Sequence, residues 1–266
     1  MTQKWELTDI EFRVLWQRFV GTDLPRPLTF QSRTRLHEEY EEEKYQVWQR
    51  LQHTVDPMLR SVFDVLERPE VYVRLRGWND RARDDAAQWL KARAARAGAN
   101  GYLIYQLPGE TPTHSGGYTV VDVGPHGLAD AIVDLMPTTG AGTGGVIPLV
   151  TDASSGSGDD YGQRSSMFFE EADTSVVERS TEFFNRAADR TGTINILQNQ
   201  SMFGSRGMHR DILVWRDLPD DGRYVIELPS ENPIATPMSR SDLTEKVDVS
   251  IQRMMSRVES HWEASA

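Results

Sequence analysis

The sequence predicts an α+β fold on an antiparallel sheet, in which one hairpin-and-helix unit occurs twice. Three observations carry this. Apolar and polar residues alternate with period two at 71–76 and again at 224–228, as half-buried strands do, and 118–123 reads as a further strand. Short glycine- or proline-bearing turns join the strands, with no crossover helices between them, so neighbours must run antiparallel. Tyr118-Thr119-Val120-Val121-Asp122-Val123 with the helix after it parallels Tyr224-Val225-Ile226-Glu227-Leu228 with its own. The expected organisation is a single domain over 1–266. It forms a pseudo-twofold repeat of halves at about 1–136 and 167–266, joined by a Gly/Ser-rich crossover at 137–166.

Composition supports a globular reading. The chain has 266 residues, enough for a sizeable core in one large domain or two small ones. Hydrophobic residues are 38% and charged residues 26%, too apolar for global disorder. Forty acids against 29 Lys and Arg give a net charge of −11, which argues against a molecule that binds nucleic acid or acidic lipid as a whole. There is no cysteine, so disulfides, thiolate catalysis and Cys-ligated zinc are excluded. The amino terminus has no apolar h-region, and the uncharged run 135–151 is rich in glycine with two prolines. A cytosolic protein is expected.

The elements follow in order. Thr8 and Glu11 form a capping box, with Leu7 and Phe12 placed as a hydrophobic staple. Phe12, Leu15, Trp16 and Phe19 then make one apolar stripe, and Gly21 ends the helix. Leu24-Pro25-Arg26-Pro27-Leu28 is extended. A second helix spans 34–53, with Leu36, Tyr40, Val47 and Leu51 facing inward and Glu38, Glu39, Glu41, Glu42 and Glu43 on a solvated face. A third, at 57–67, stops before Pro69.

Val71, Val73 and Leu75 open the first strand. Residues 86–97 admit two readings. Their alanines favour a helix, whereas Leu90, Ala92 and Ala94 alternate with Lys91 and Arg93. The turn Gly98-Ala99-Asn100-Gly101 into a strand at 102–107 is better explained by a hairpin, so a strand is preferred. Strand 118–123 leads through Gly124-Pro125-His126-Gly127 into a helix at 128–136. Residues 137–166 hold seven glycines, five serines and four threonines and read as a flexible crossover with one short ordered piece at 146–150. A helix at 175–189, strands at 193–197, 211–215 and 224–228, and a mobile loop at 198–207 follow. The last helix carries Leu243, Val247, Ile251, Met254, Val258 and Trp262 on one face.

Chemistry-bearing motifs are sparse. Gly140-Ala141-Gly142-Thr143-Gly144-Gly145 matches G-x-G-x-x-G in letters only. A dinucleotide site needs a strand before it and a helix after it, and here a helix and Pro137 precede while Val146-Ile147-Pro148 follows. No P-loop, nucleophile elbow or H-E-x-x-H occurs. His37, His53, His114, His126, His209 and His261 show no metal-ligand spacing and read as surface or turn residues. Asp159-Asp160 and Asp220-Asp221 lie in glycine-bearing loops, where acids are expected.

One charge anomaly stands out. Between Arg74 and Arg96 lie seven cations (Arg74, Arg76, Arg81, Arg83, Lys91, Arg93, Arg96) against Asp80, Asp84 and Asp85, with Trp78 and Trp89 among them. The plain reading is the polar face of a sheet. The alternatives are a nucleic-acid-binding adaptor using 74–96, or a protein interface anchored by Arg and Trp, which fits the acidic whole better. An enzyme with an unrecognised carboxylate or histidine site is a further alternative.

Trp5-x-Leu7, Phe12-x-x-Leu15-Trp16 and Leu24-Pro-x-Pro-Leu28 resemble the opening of the EspG family, chaperones of actinobacterial type VII (ESX) secretion. The second half is similar too. It has Gly192-Thr193-Ile194, the loop with Gly204 and Gly207, Val214-Trp215-x-Asp217, Gly222-Arg223-Tyr224, and Thr236-Pro237 before a last helix. The resemblance spans nearly the whole chain and implies a central antiparallel sheet flanked by two helical bundles. It implies no enzyme activity, no cofactor and no metal. Such a protein would bind the exposed hydrophobic tip of the PPE subunit in a PE–PPE heterodimer, keep it soluble and direct it to its secretion system. It would be cytoplasmic and a monomer or weak homodimer, with no nucleic acid bound and no membrane insertion. By position on the expected sheet and its loops, the partner-binding candidates are Trp89, Arg93, Arg96, Asn100, Tyr102, Gln198, Gln200, Met202, Phe203 and Arg206.

Overall fold

A computed structural model describes residues 3–150, 174–199 and 209–263. Its elements are β1 (Lys4–Leu7), α1 (Asp9–Phe19), α2 (His37–Thr54), α3 (Met58–Glu67), β2 (Val71–Trp78), β3 (Leu90–Ala97), β4 (Asn100–Pro108), β5 (Ser115–Asp122) and α4 (Leu128–Asp134). Then come β6 (Ile147–Pro148), α5 (Thr174–Asn185), β7 (Arg190–Gln198), β8 (Arg210–Leu218), β9 (Gly222–Leu228), β10 (Ile234–Pro237) and α6 (Arg240–Glu263). The strands form one ten-stranded sheet, ordered β1-β5-β4-β3-β2-β7-β8-β9-β10-β6. Every pairing between these strands is antiparallel, as short connections require. The consecutive runs β2 to β5 and β7 to β10 extend outward from the central β2–β7 pair.

Strand alternation sorts the side chains onto two faces. On the first, Val71, Val73, Leu75, Ile194, Ile196, Leu213, Trp215 and Val225 are buried beneath Leu128 and Ile132 of α4 and Leu243, Val247, Ile251 and Met254 of α6. On the second, the β4–β5 end is covered by α1 and α3, with Phe12, Trp16, Phe63, Tyr118 and Ile104 at its centre. At the other end of that face, Phe183 of α5 meets the Tyr224 ring edge-on, 5.6 Å between centroids.

The capping box of α1 is present, with the Glu11 N–H donating to Thr8 Oγ1 at 3.3 Å and the Thr8 N–H to Glu11 Oε2 at 3.0 Å. The strand expected over 86–97 begins only at Leu90, because Ala86–Gln88 form a 3-10 turn capped by the Asp85 side chain; Ala97 pairs with Asn100 around a two-residue turn at Gly98, whose φ is +57°.

Several expectations are corrected. Leu36 is 61% exposed: α2 begins only at His37, and Leu36 is its extended cap residue. The first strand is not half-buried throughout, because α3 and its neighbours also bury Tyr72 on the second face. Strands β1 and β10 gave no clear periodic signal, being four residues each at or near the sheet edges. The side chains of Val258 and Trp262, residues 151–166 of the crossover and residues 200–207 of the loop lie outside the described residues.

The glycine run 140–145 is a structural strap. Ala141 bridges Arg223 in parallel, the Gly142 N–H donates to Arg223 O at 3.0 Å, and the Gly144 N–H donates to Tyr224 Oη at 2.9 Å. A Cβ on Gly142 would come within 2.2 Å of the Tyr224 ring, so only bare backbone passes there.

Candidate functional site

Between the two covered ends of the second face lies a cleft of about 1040 Å³ over β3, β2, β7 and β8. The strand register builds its floor in rows. Arg93 of β3 stands opposite Arg74 of β2, which stands opposite Asn195 of β7. One row on, Lys91 faces Arg76, which faces Thr193. Arg210 of β8 completes the lining on the far side.

One wall is the extended segment 23–32 after α1. Its prolines deny it a helix, so it needs tertiary anchors. Trp16 Nε1 donates to Asp23 O at 3.1 Å, Tyr118 Oη to Thr29 O at 2.6 Å, and the Thr29 N–H to Gln106 Oε1 at 2.8 Å. Burial raises the Tyr118 hydroxyl's pKa, which keeps this donor protonated. Pro112 and Thr113, between β4 and β5, close another side.

The electrostatics are one-sided. The lining carries Arg13, Arg26, Arg74, Arg76, Lys91 and Arg210 against one carboxylate, Asp23. Lys91 Nζ donates to Thr29 Oγ1 at 2.8 Å and to Pro112 O. Burial, reinforced by the Arg76 charge, pushes its pKa down to about 8. Arg93 backs the cleft, only 7% exposed, and burial pushes it down to about 10. Its guanidinium lies 4.0 Å from the Tyr72 ring centre, and Arg76 lies 5.0 Å from that of Trp89. Arg74 Nε and Arg93 Nε are buried without an acceptor. Such a surface can hold carboxylates or other anions.

The sequence-derived candidates scatter around this site. Trp89 lines the cleft, its ring 5.8 Å from that of Trp78 and its Nε1 donating to Arg83 O at 2.7 Å. Arg93 backs it. Arg96 alternates onto the other face, where Nη1 donates to Pro125 O at 3.3 Å. Gln198, near the end of β7, shares that register row through Val71. Asn100 is exposed at the hairpin tip. Tyr102 packs in the core, edge-on to Trp5 at 6.3 Å. Gln200, Met202, Phe203 and Arg206 lie outside the described residues. Arg74, Arg76 and Lys91 stood in the basic stretch singled out in the sequence but not among the partner-binding candidates. Arg74 and Arg76 share one face with Tyr72 by period two, and Lys91 joins them only through the β2–β3 register. Arg13, Arg26 and Arg210 come from distant segments and gave no signal.

Among the described residues, no helix is long and apolar enough to cross a membrane. No curated protein matches the chain in sequence. The structure is similar to that of the Mycobacterium tuberculosis type VII secretion system chaperone EspG5, solved in complex with the PE25–PPE41 dimer. The TM-score is 0.56 at 11% identity, covering 95% of this chain and 96% of that one. At that identity the likeness establishes the α+β fold. A sequence model of the EspG family matches residues 8–248. That match takes in the helices of the second face, every strand of the sheet except β1 and the cleft between them, so the chain belongs to the EspG family.

Proposed function

We propose that this protein is a cytoplasmic type VII secretion chaperone that binds a PE–PPE-type heterodimer through the tip of its PPE subunit, keeps it soluble and directs it to its secretion system. The observation that carries the reading is the family match across residues 8–248. The shared fold with EspG5, whose structure holds a PE25–PPE41 dimer, supports it. So does the open sheet face: a helical tip with exposed apolar residues is an aggregation hazard until covered, and a broad cleft with polar and aromatic groups can cover it. The outward runs of strands from β2–β7 support reading the chain as one domain of two related halves, 1–136 and 167–266. Contact is proposed to centre on the cleft around Trp89.

Co-expression with a PE–PPE pair encoded near this chain, followed by size-exclusion chromatography, tests the function. A 1:1:1 complex is expected. A pair that stays equally soluble and elutes apart from the chaperone would sink the reading.

A further inference from the structure

Arg74 opposite Arg93 and Arg76 opposite Lys91 form a two-by-two block of cations on adjacent strands. Like charges directly opposite in a sheet destabilise it. Elsewhere the fold neutralises its buried cations: Arg223 is paired with Asp217, and Arg216 with Asp80. Among the described residues none of the four block cations lies within ion-pair distance of a carboxylate. Arg93 is more than nine-tenths buried with its Nε unpartnered. The four gain hydrogen bonds and ring contacts from the chain but no counter-charge, whereas an anion in the cleft would supply one to Arg74, Arg76 and Lys91 together.

We propose that this cleft receives an acidic polypeptide segment of the client, whose carboxylates pair with Arg74, Arg76 and Lys91. The inference rests on the chaperone reading and names the chemistry of what the cleft grips. Charge complementarity selects the occupant. The protein as a whole is acidic at −11, so a long polyanion such as a nucleic acid is repelled outside the cleft, while a short acidic stretch is not. The rings that line the cleft are engaged within the chain: Trp89 carries Arg76 and packs on Trp78, and Phe30 and Tyr40 stack on each other, which disfavours base stacking. A volume of about 1040 Å³ suits a few residues of chain.

The test compares the protein with its R74Q/R76Q variant, and with R35Q/R68Q, which makes the same charge change at exposed positions outside the cleft lining. Titration against the purified PE–PPE pair is expected to give binding about tenfold or more weaker for R74Q/R76Q. The wild-type salt dependence should flatten in that variant, and R35Q/R68Q should match wild type. R74Q/R76Q should melt no lower than wild type, which separates loss of contact from loss of fold. Wild-type binding with R74Q/R76Q equal to it would overturn this inference and leave the chaperone reading standing. If wild type binds no pair, that reading fails. The acid-binding cleft is then decided by fluorescence anisotropy with a glutamate-rich peptide and a single-stranded oligonucleotide of equal charge. Preferential peptide binding lost in R74Q/R76Q supports it; no peptide binding, or preference for the oligonucleotide, overturns it.

Discussion

Two buried arginines in the same sheet have opposite circumstances. Arg223 of β9, with 1% of its side chain exposed, meets Asp217 of β8 through two bonds, Nε to Oδ1 at 2.7 Å and Nη2 to Oδ2 at 2.8 Å. Its Nη2 also donates to Pro137 O at 2.9 Å, and its backbone holds the glycine strap. Arg93 of β3, 7% exposed, has a tyrosine ring, another arginine opposite, and an unpartnered Nε. The first is saturated from within and serves the fold. The second lies behind the cleft lining, beside Arg74, with no carboxylate among the described residues within ion-pair distance. A buried charge is costly in either place; what differs is whether this chain or a partner supplies the counter-charge.

The comparison breaks hardest at the saturated pair. Asp217→Ala strands Arg223 as an uncompensated buried cation, and should cost about 3–5 kcal/mol in urea denaturation. A loss under about 1 kcal/mol would mean that the pair does not neutralise Arg223 as argued. Next, Gly142→Ala drives a methyl into the Tyr224 ring and should cost about 1–3 kcal/mol, read as a lowered denaturation midpoint.

The open block should answer to pH. Lys91 has a folded pKa near 8, below its unfolded value of 10.5. Below pH 8 both states hold the proton and the penalty of a buried cation is fully present. Between pH 8 and 10.5 the unfolded chain binds more protons, so raising the pH stabilises the fold. Facing Lys91 are Arg76, the Trp89 ring, Thr29 and the Pro112 carbonyl. Thermal melts across that window should show a gain on the order of 1 kcal/mol that Lys91→Met lacks. Affinity for the client should fall over the same window as Lys91 loses its charge.

The smallest effect on stability is expected at Arg93. Arg93→Met removes a buried cation that has no carboxylate among the described residues within ion-pair distance, only a longer-range attraction to Glu67, so the unfolding free energy should stay level or rise by about 0.2–1 kcal/mol. A loss of several kcal/mol would show that Arg93 is satisfied from within, like Arg223.

Much of the fold was legible because it is local. The Thr8–Glu11 box, the period of 71–76 and the hairpin at Gly98 are set by residues within a few positions of one another. Of the ambiguous 86–97, the part next to the turn, 90–97, is strand as that turn implied, whereas 86–88 is a 3-10 helix. Leu36 misled because helical spacing places a residue on a stripe without saying where the helix starts. Strands β1, β6 and β10 were obscure because two to four residues carry almost no period. The site was less legible. Alternation placed Arg96 on the face opposite Arg93, yet both entered as candidates because nearness in sequence stood in for nearness in space.

The sequence by itself determined an antiparallel sheet with helices and a basic stretch within an acidic chain, since periodicity, turn chemistry and composition are properties of neighbouring residues. Only the tertiary structure decided which cations keep a counter-charge. Asp217 reaches Arg223 across a strand pair, while segment 23–32 folds over Lys91 and brings no carboxylate into contact with it. Whether a charge is neutralised depends on groups within a few ångströms: Asp217 meets Arg223 only six residues away, across the β8–β9 hairpin, whereas Thr29, which covers Lys91, comes from 62 residues away.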